Sequence, residues 1–244
     1  MRNGNSIRRT LKSSGVLLCV LATLFLSCRE ELPLGGSQTT EVPPFRFLSG
    51  DSFTFDNWLV DYTGRIPSSY FRNSWTVVDT GATVFGRTPV TMVIDSTFET
   101  SGNLARRDTL YFQFTPSGDI YQYGFLKNLI AQRETLTIAP QWDRIAAFSL
   151  PREESWVIAR FDSSVGARTP ETVYGRILEA QEYVGVKLND VLQAVLAYRI
   201  EILGPRLNYT LWLASSPTAI AKAFDDSSIL RYATLRELAS MRRR

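Results

Sequence analysis

The sequence predicts a mainly β protein, an antiparallel meander that curls into a barrel or half-barrel with one or two short helices. Apolar and polar residues alternate in several short segments, as in strands with one buried face. These segments are rich in aromatic and β-branched residues, and Gly-containing turns separate them. The regular β–α alternation of a parallel sheet is missing, which favours consecutive antiparallel strands.

The clearest hairpin lies near the middle of the chain. Residues 109–114 alternate in polarity, Ser117-Gly118-Asp119 supplies the turn, and residues 120–123 return. Residues 90–94 alternate in the same way. The other predicted strands are residues 75–78 and 83–85, joined near Gly81, and then residues 155–161, 171–184, 196–203 and 208–214.

Helical periodicity is rarer. The apolar residues of segment 125–130, which follows Gly124, have the spacing of a short helix. Segment 187–198 fits both patterns, because its first apolar residues repeat with a helical period and later ones alternate as in a strand. Segment 227–241 is equally ambiguous, and the sequence leaves both segments open between helix and strand.

The N-terminal segment has the features of a targeting sequence. Four basic residues and no acidic residue precede an apolar run over residues 16–26. This run is too short for a membrane-spanning helix, which needs about 20 apolar residues. It fits the core of a signal peptide, usually about 7–15 residues. We therefore expect residues 1–27 to be a signal peptide.

The end of that segment, Leu24-Phe25-Leu26-Ser27-Cys28, resembles the lipobox of bacterial lipoproteins. The resemblance implies cleavage after Ser27, lipidation of Cys28 and a place in the bacterial cell envelope. It indicates an outer-membrane lipoprotein that is periplasmic or surface-exposed, whereas an ordinary secretory signal with an incidental Cys is the alternative. Residues 28–50 then form the lipidated Cys and a flexible tether rich in Pro, Gly, Ser and Thr. Residues 51–244 form a single β-rich domain.

Three short motifs of the domain are similar to those of uncharacterised bacterial envelope lipoproteins. They are Tyr70-Phe71-Arg72-Asn73-Ser74-Trp75-Thr76, then Asp108-Thr109-Leu110-Tyr111 with Gly118-Asp119-Ile120-Tyr121, and finally Trp212-Leu213-Ala214 with Lys222. The resemblance implies a curved antiparallel sheet similar to the half-barrels of lipoprotein carriers. It implies no established activity, because none is known for the group.

Composition excludes several classes of function. The chain has no His, and both its cysteines, Cys19 and Cys28, precede the domain, so Ser-His-Asp and Cys-His catalysis are excluded there. Removal of residues 1–27 leaves 23 basic against 24 acidic residues, which argues against a nucleic-acid partner. We expect that the protein is not an enzyme and that it has no catalytic residue, metal ligand or cofactor. A carboxylate-based hydrolase that uses Glu153-Glu154 or Asp225-Asp226 is the minor alternative.

Aromatic residues are the main candidates for a binding site. Trp75, Phe112, Phe114, Trp156 and Trp212 are predicted to line a cavity, with packing in the core as the alternative. The sequence thus favours a lipid-anchored envelope protein, held at the membrane by its anchor, that binds an apolar small molecule or an envelope protein partner. The alternative function is a structural or accessory subunit of an envelope complex without a ligand cavity.

Overall fold

The computed structural model describes residues 45–130, 139–151, 153–161, 171–188, 191–205, 207–215, 218–226 and 232–243. All of them belong to one compact unit, residues 42–244. The signal peptide, Cys28 and the tether up to residue 44 lie outside the described residues. Within the described part, no helix is both long and apolar enough to cross a bilayer.

Strands dominate this unit, as the sequence predicts. They are β1 (Ser52–Asp61), β2 (Gly64–Arg65), β3 (Phe71–Val84), β4 (Arg87–Phe98), β5 (Leu104–Phe114), β6 (Ile120–Tyr123), β7 (Trp142–Ala146), β8 (Ser155–Phe161), β9 (Glu171–Leu188), β10 (Val191–Gly204), β11 (Leu207–Ser215), β12 (Thr218–Asp225) and β13 (Ala233–Arg242). Helix α1 spans Phe125–Ile130, and a 3-10 turn spans Pro67–Ser69.

The strands form one antiparallel sheet that curls into a nearly closed barrel, so the predicted fold class is confirmed. The strand order is β7-β6-β5-β4-β3-β1-β13-β12-β11-β10-β9-β8, with β2 paired to the end of β1. This is a meander with one exception, because β1 lies between β3 and β13. The first and last strands of the sheet in chain order therefore pair directly.

A side chain bridges the two edge strands of the barrel, β7 and β8. The indole Nε1 of Trp156 on β8 donates a hydrogen bond to the carbonyl oxygen of Arg144 on β7, at 2.7 Å. The indole passes so close to Gly175 of β9 that a Cβ atom there would overlap the ring. Glycine at position 175 thus leaves room for the indole that joins the two edges.

The predicted hairpin over residues 75–85 is wrong. Residues 71–84 form a single strand, β3, and the chain reverses only at Phe85-Gly86. Asp79 Oδ1 accepts a hydrogen bond from the Gly81 backbone N–H at 2.8 Å, and the pairing with β4 shifts register on both sides of this stretch. Gly81 therefore belongs to a bulged region instead of a turn.

The two ambiguous segments are strands where the structure describes them. Residues 187–188 end β9 and residues 191–198 lie in β10, and the two strands form a hairpin with Leu188 opposite Val191. β13 occupies most of the described part of segment 227–241. The predicted hairpin at 109–123, the helix at 125–130 and the later strands are confirmed, with β9 extending further than expected.

Candidate functional site

Two aromatic residues that precede β1 pack inside the barrel. The Phe45 ring stacks on Phe148 with ring centroids 4.6 Å apart and meets the edge of Tyr198 at 5.6 Å. The Phe47 ring lies 5.1 Å from both Phe53 and Phe114. Both Phe45 and Phe47 are buried. The segment at the end of the predicted tether therefore contributes to the core.

The interior space beside Phe47 is small. A void of about 10 Å³ lies among apolar side chains of the core and of the segment before β1, namely Phe47, Phe112, Phe114, Ile120, Ile145, Leu211, Leu213 and Ile220. Pockets for small-molecule ligands usually measure about 300–1,000 Å³. Side chains thus occupy the space that an apolar ligand would need at this level of the barrel.

The structure brings together three of the five predicted lining aromatics. Trp75 and Phe112 are buried with ring centroids 5.7 Å apart, and Phe112 and Phe114 both line the void. Trp156 lies at the junction of β7 and β8. Trp212 alternates with Leu211 and Leu213, so it faces away from the void. Its indole Nε1 donates to Glu182 Oε2 at 3.1 Å.

A chain of polar side chains, buried at its two asparagines and partly buried at its charged ends, crosses four neighbouring strands. Arg236 Nε on β13 donates to Asn57 Oδ1 on β1 at 3.0 Å. Asn57 Nδ2 donates to Asn73 Oδ1 on β3 at 2.8 Å, and Asn73 Nδ2 donates to Asp95 Oδ1 on β4 at 2.8 Å. We call these four residues the amide relay. Two side-chain amides therefore connect a cation to an anion.

Aromatic groups surround the cationic end of the amide relay. The guanidinium carbon of Arg236 lies 5.5 Å from the Phe55 ring and 5.7 Å from the Trp75 ring. Burial raises the pKa of Tyr209 to about 12, and the nearby Arg236 charge opposes this shift. Tyr209 therefore stays neutral across the physiological pH range. Asparagine side-chain amides do not titrate in this range. The hydrogen bonds of the amide relay therefore orient its four side chains, and the charge of Arg236 at one end is balanced by that of Asp95 at the other.

Buried carboxylates hold loops in place. Asp143 Oδ2 accepts a hydrogen bond from the backbone N–H of Leu126 at 2.8 Å, which fixes the start of α1, and burial raises the pKa of Asp143. Asp119 Oδ1 accepts from the backbone N–H of Ser149 at 2.8 Å. Within the described residues, no three side chains of metal-ligating type cluster.

A second group of aromatic residues lies on the outside of the barrel. We call this group the aromatic surface, and it comprises Phe85, Tyr111, Tyr121, Tyr123 and Trp142, together with Arg87. Phe85 is 50% exposed and stacks on Tyr123 with ring centroids 3.9 Å apart. Trp142 Nε1 donates to the Phe85 carbonyl oxygen at 3.1 Å. These contacts connect the β3–β4 turn to the strands beside it.

Arg87 lies among the rings of this surface. Its guanidinium carbon is 4.3 Å from the Tyr121 ring and 5.0 Å from the Trp142 ring, and its Nη1 donates to Gln113 Oε1 at 2.6 Å. Phe85 has a positive φ of 49°, a conformation that is unfavourable for a bulky side chain. Such conformations persist where surrounding contacts enforce them, and they are common at functional sites.

Comparisons with known proteins return two structures of similar extent. One is a predicted lipoprotein of Parabacteroides distasonis, with a TM-score of 0.48, 9% identity, and coverage of 81% of this chain and 97% of that one. The other is a predicted exported protein of Bacteroides fragilis with a YmcC-like fold, with a TM-score of 0.47, 8% identity, and coverage of 82% and 98%. No family model and no curated protein matches the sequence. Similarity this low says nothing about function.

Proposed function

We propose that this chain is a lipid-anchored protein of the bacterial outer membrane whose β body binds a partner protein, without catalysing a reaction. The aromatic surface carries the proposal. It presents the half-exposed Phe85 ring, four partly exposed rings and a guanidinium on the outer face of the barrel. The body would lie on the periplasmic or the external side of that membrane.

The composition of the aromatic surface fits a protein interface. Tyr, Trp and Arg are the residue types that most often dominate the energy of protein–protein binding. The stacking of Phe85 on Tyr123 and the position of Arg87 between two rings hold these side chains in place before binding. Groups that are already ordered lose less conformational entropy on association.

An apolar ligand inside the barrel has less support than a partner protein. The void beside Phe47 measures about 10 Å³, which is too small for an acyl chain. At this level of the barrel a ligand would have to displace Phe47, which the rings of Phe53 and Phe114 hold. The accessory-subunit alternative also relies on a protein interface and is compatible with the same surface.

Photocrosslinking tests the aromatic surface. With a benzoyl-phenylalanine at position 85 in the producing bacterium, we expect one discrete adduct of higher mass, because a partner would cover this ring. The same residue at Val157, which is 43% exposed on β8, is the control and should give no such adduct. Adding Tyr123→Ala should reduce the position-85 adduct. The partner role fails if position 85 gives no adduct, or if Val157 gives the same one.

Lipidation is tested at the two cysteines. We expect radiolabelled palmitate to enter the wild-type chain and the Cys19→Ser variant, and to be absent from Cys28→Ser. Cys28 is the residue expected to carry the acyl chains, and two or three acyl chains on one residue are needed for stable anchoring. The unlabelled variant should therefore also leave the membrane fraction. Label that remains on Cys28→Ser would contradict the lipoprotein assignment.

A further inference from the structure

Within the described residues, one edge of the β9–β10 hairpin has no neighbouring strand along residues 191–195. β11 pairs with β10 only from Ala197 onward, so residues 191–195 pair with β9 on one side. No described strand pairs with their other side. We call residues 191–195 of β10 the free edge. Unpaired backbone N–H and C=O groups at such an edge can pair with another strand.

The free edge is uncharged, and four of its five residues are exposed, whereas the Val195 side chain is buried. Leu192 is 77% exposed, Val191 is 59% exposed, and Gln193 and Ala194 are also exposed. Tyr183 of β9, opposite Leu196, is 76% exposed and extends the apolar surface. Proteins usually protect exposed edges with Lys or Pro, and residues 191–195 contain neither. Such an edge has the properties of an interface with a further strand.

We infer that the free edge pairs in antiparallel fashion with the free edge of a second copy of this chain, with the two-fold axis at Gln193. The segment has five residues, so antiparallel pairing of two copies over its full length places Gln193 of one copy opposite Gln193 of the other. Val191 then lies opposite Val195 of the second copy, and Leu192 lies opposite Ala194. A symmetric contact between identical segments is the common geometry of homodimers.

Charge and register favour a second copy. Like charges directly opposite one another destabilise a strand pair, and an uncharged segment avoids this when it pairs with itself. In this register odd-numbered residues lie opposite odd-numbered residues, and even-numbered residues lie opposite even-numbered ones. The exposed faces of the two hairpins therefore lie on the same side of the combined sheet. From Ala197 onward, β11 already pairs with the side of β10 that the second copy would use. The second copy can therefore pair only with the free edge.

A lipid surface is a poorer match for the same feature. Residues 189–190, which separate β9 from β10 in the sequence, are Asn-Asp, and an acidic residue is costly to place in a bilayer. Unpaired backbone groups of an edge strand are also costly in hydrocarbon, where no water can satisfy them. A strand of a second copy satisfies those groups.

Site-directed disulfides test both the contact and its register. In cells that produce the full chain, Gln193→Cys should give at least about tenfold more disulfide dimer after mild oxidation than Val157→Cys, because pairing raises the local concentration of the two thiols. Val157 is an exposed residue of edge strand β8 and controls for chance collisions. The parent chain, which has no introduced cysteine, gives the baseline.

A mixing experiment checks the register. Leu192→Cys and Ala194→Cys should crosslink to each other more strongly than either does to itself, because these positions face one another across the axis. The inference is overturned if Gln193→Cys dimerises no more than Val157→Cys, or if its thiol couples to a different protein instead. Neither outcome depends on the aromatic surface.

Discussion

Replacing Phe47 with alanine is expected to lower the free energy of unfolding by about 3–5 kcal/mol, the usual cost of removing a buried phenylalanine ring. The Phe47 ring is 4% exposed and contacts Phe53, Phe112 and Phe114. Those neighbours come from two different strands, β1 and β5, and cannot all move into the vacated space. The measurement is urea unfolding of the variant beside the wild type.

The adjacent residue offers a matched control. Leu48 is 44% exposed, so Leu48→Ala should change stability by no more than about 0.5 kcal/mol. Phe47→Leu should fall between the two, because it keeps part of the buried volume. Equal stabilities of Phe47→Ala and Leu48→Ala would show that the segment before β1 does not contribute to the core.

The same variant tests whether the Phe47 ring fills space that a small apolar molecule could otherwise occupy. Removing the ring enlarges a void of about 10 Å³ lined by apolar side chains. Engineered apolar cavities of this kind stay dry and bind small molecules such as benzene. We expect benzene to raise the melting temperature of Phe47→Ala and to leave that of the wild type unchanged.

Local alternation was sufficient to predict most strands. In β5, Leu110, Phe112 and Phe114 alternate with polar residues, and a Gly-containing turn follows, so both the hairpin and its face are visible in the sequence. The prediction failed where a short polar stretch inside a strand resembled a turn. At Asp79–Ala82 a side-chain hydrogen bond and shifts of register keep the strand continuous instead.

The candidate site was predictable only in part. Trp75, Phe112 and Phe114 lie together in the interior because they occupy inward positions on β3 and β5, the two strands that flank β4. Phe45 and Phe47 lie in a Pro-rich segment with too little alternation to indicate burial. The aromatic surface forms only when the Phe85 turn folds onto three strands that pair later in the chain. No spacing within a single segment encodes that contact.

The amide relay was even less predictable from the sequence than the aromatic residues. Its members come from four strands, and Asn57 and Arg236 are 179 positions apart in the chain. They meet because β1 pairs with both β3 and β13, which places Asn57 directly opposite Arg236. Each residue alone is an ordinary polar residue in a strand. Only the strand order reveals that they share hydrogen bonds.

Replacing Asn57 with leucine is expected to lower the free energy of unfolding by about 2–4 kcal/mol, because buried Asn73 and partly buried Arg236 each lose a hydrogen bond. Leucine fills a similar volume, so packing changes little. Arg236 Nε would lose its acceptor, and Asn73 Oδ1 would lose its donor. Asn57 is 4% exposed and Asn73 is 1% exposed, so water cannot easily replace the missing groups.

A double-mutant cycle separates the free energy of the hydrogen bond between Arg236 and Asn57 from the general effect of removing a polar side chain. Arg236→Met removes the cation that Asn57 accepts from, so the double variant should be more stable than the sum of the single effects by at least about 1 kcal/mol. Arg176→Met is the control, since Arg176 bonds Glu201 and shares no partner with Asn57. Its effect should add to that of Asn57→Leu. Additivity in both pairs would mean that Arg236 and Asn57 contribute to stability independently, and that the hydrogen bond between them carries little free energy.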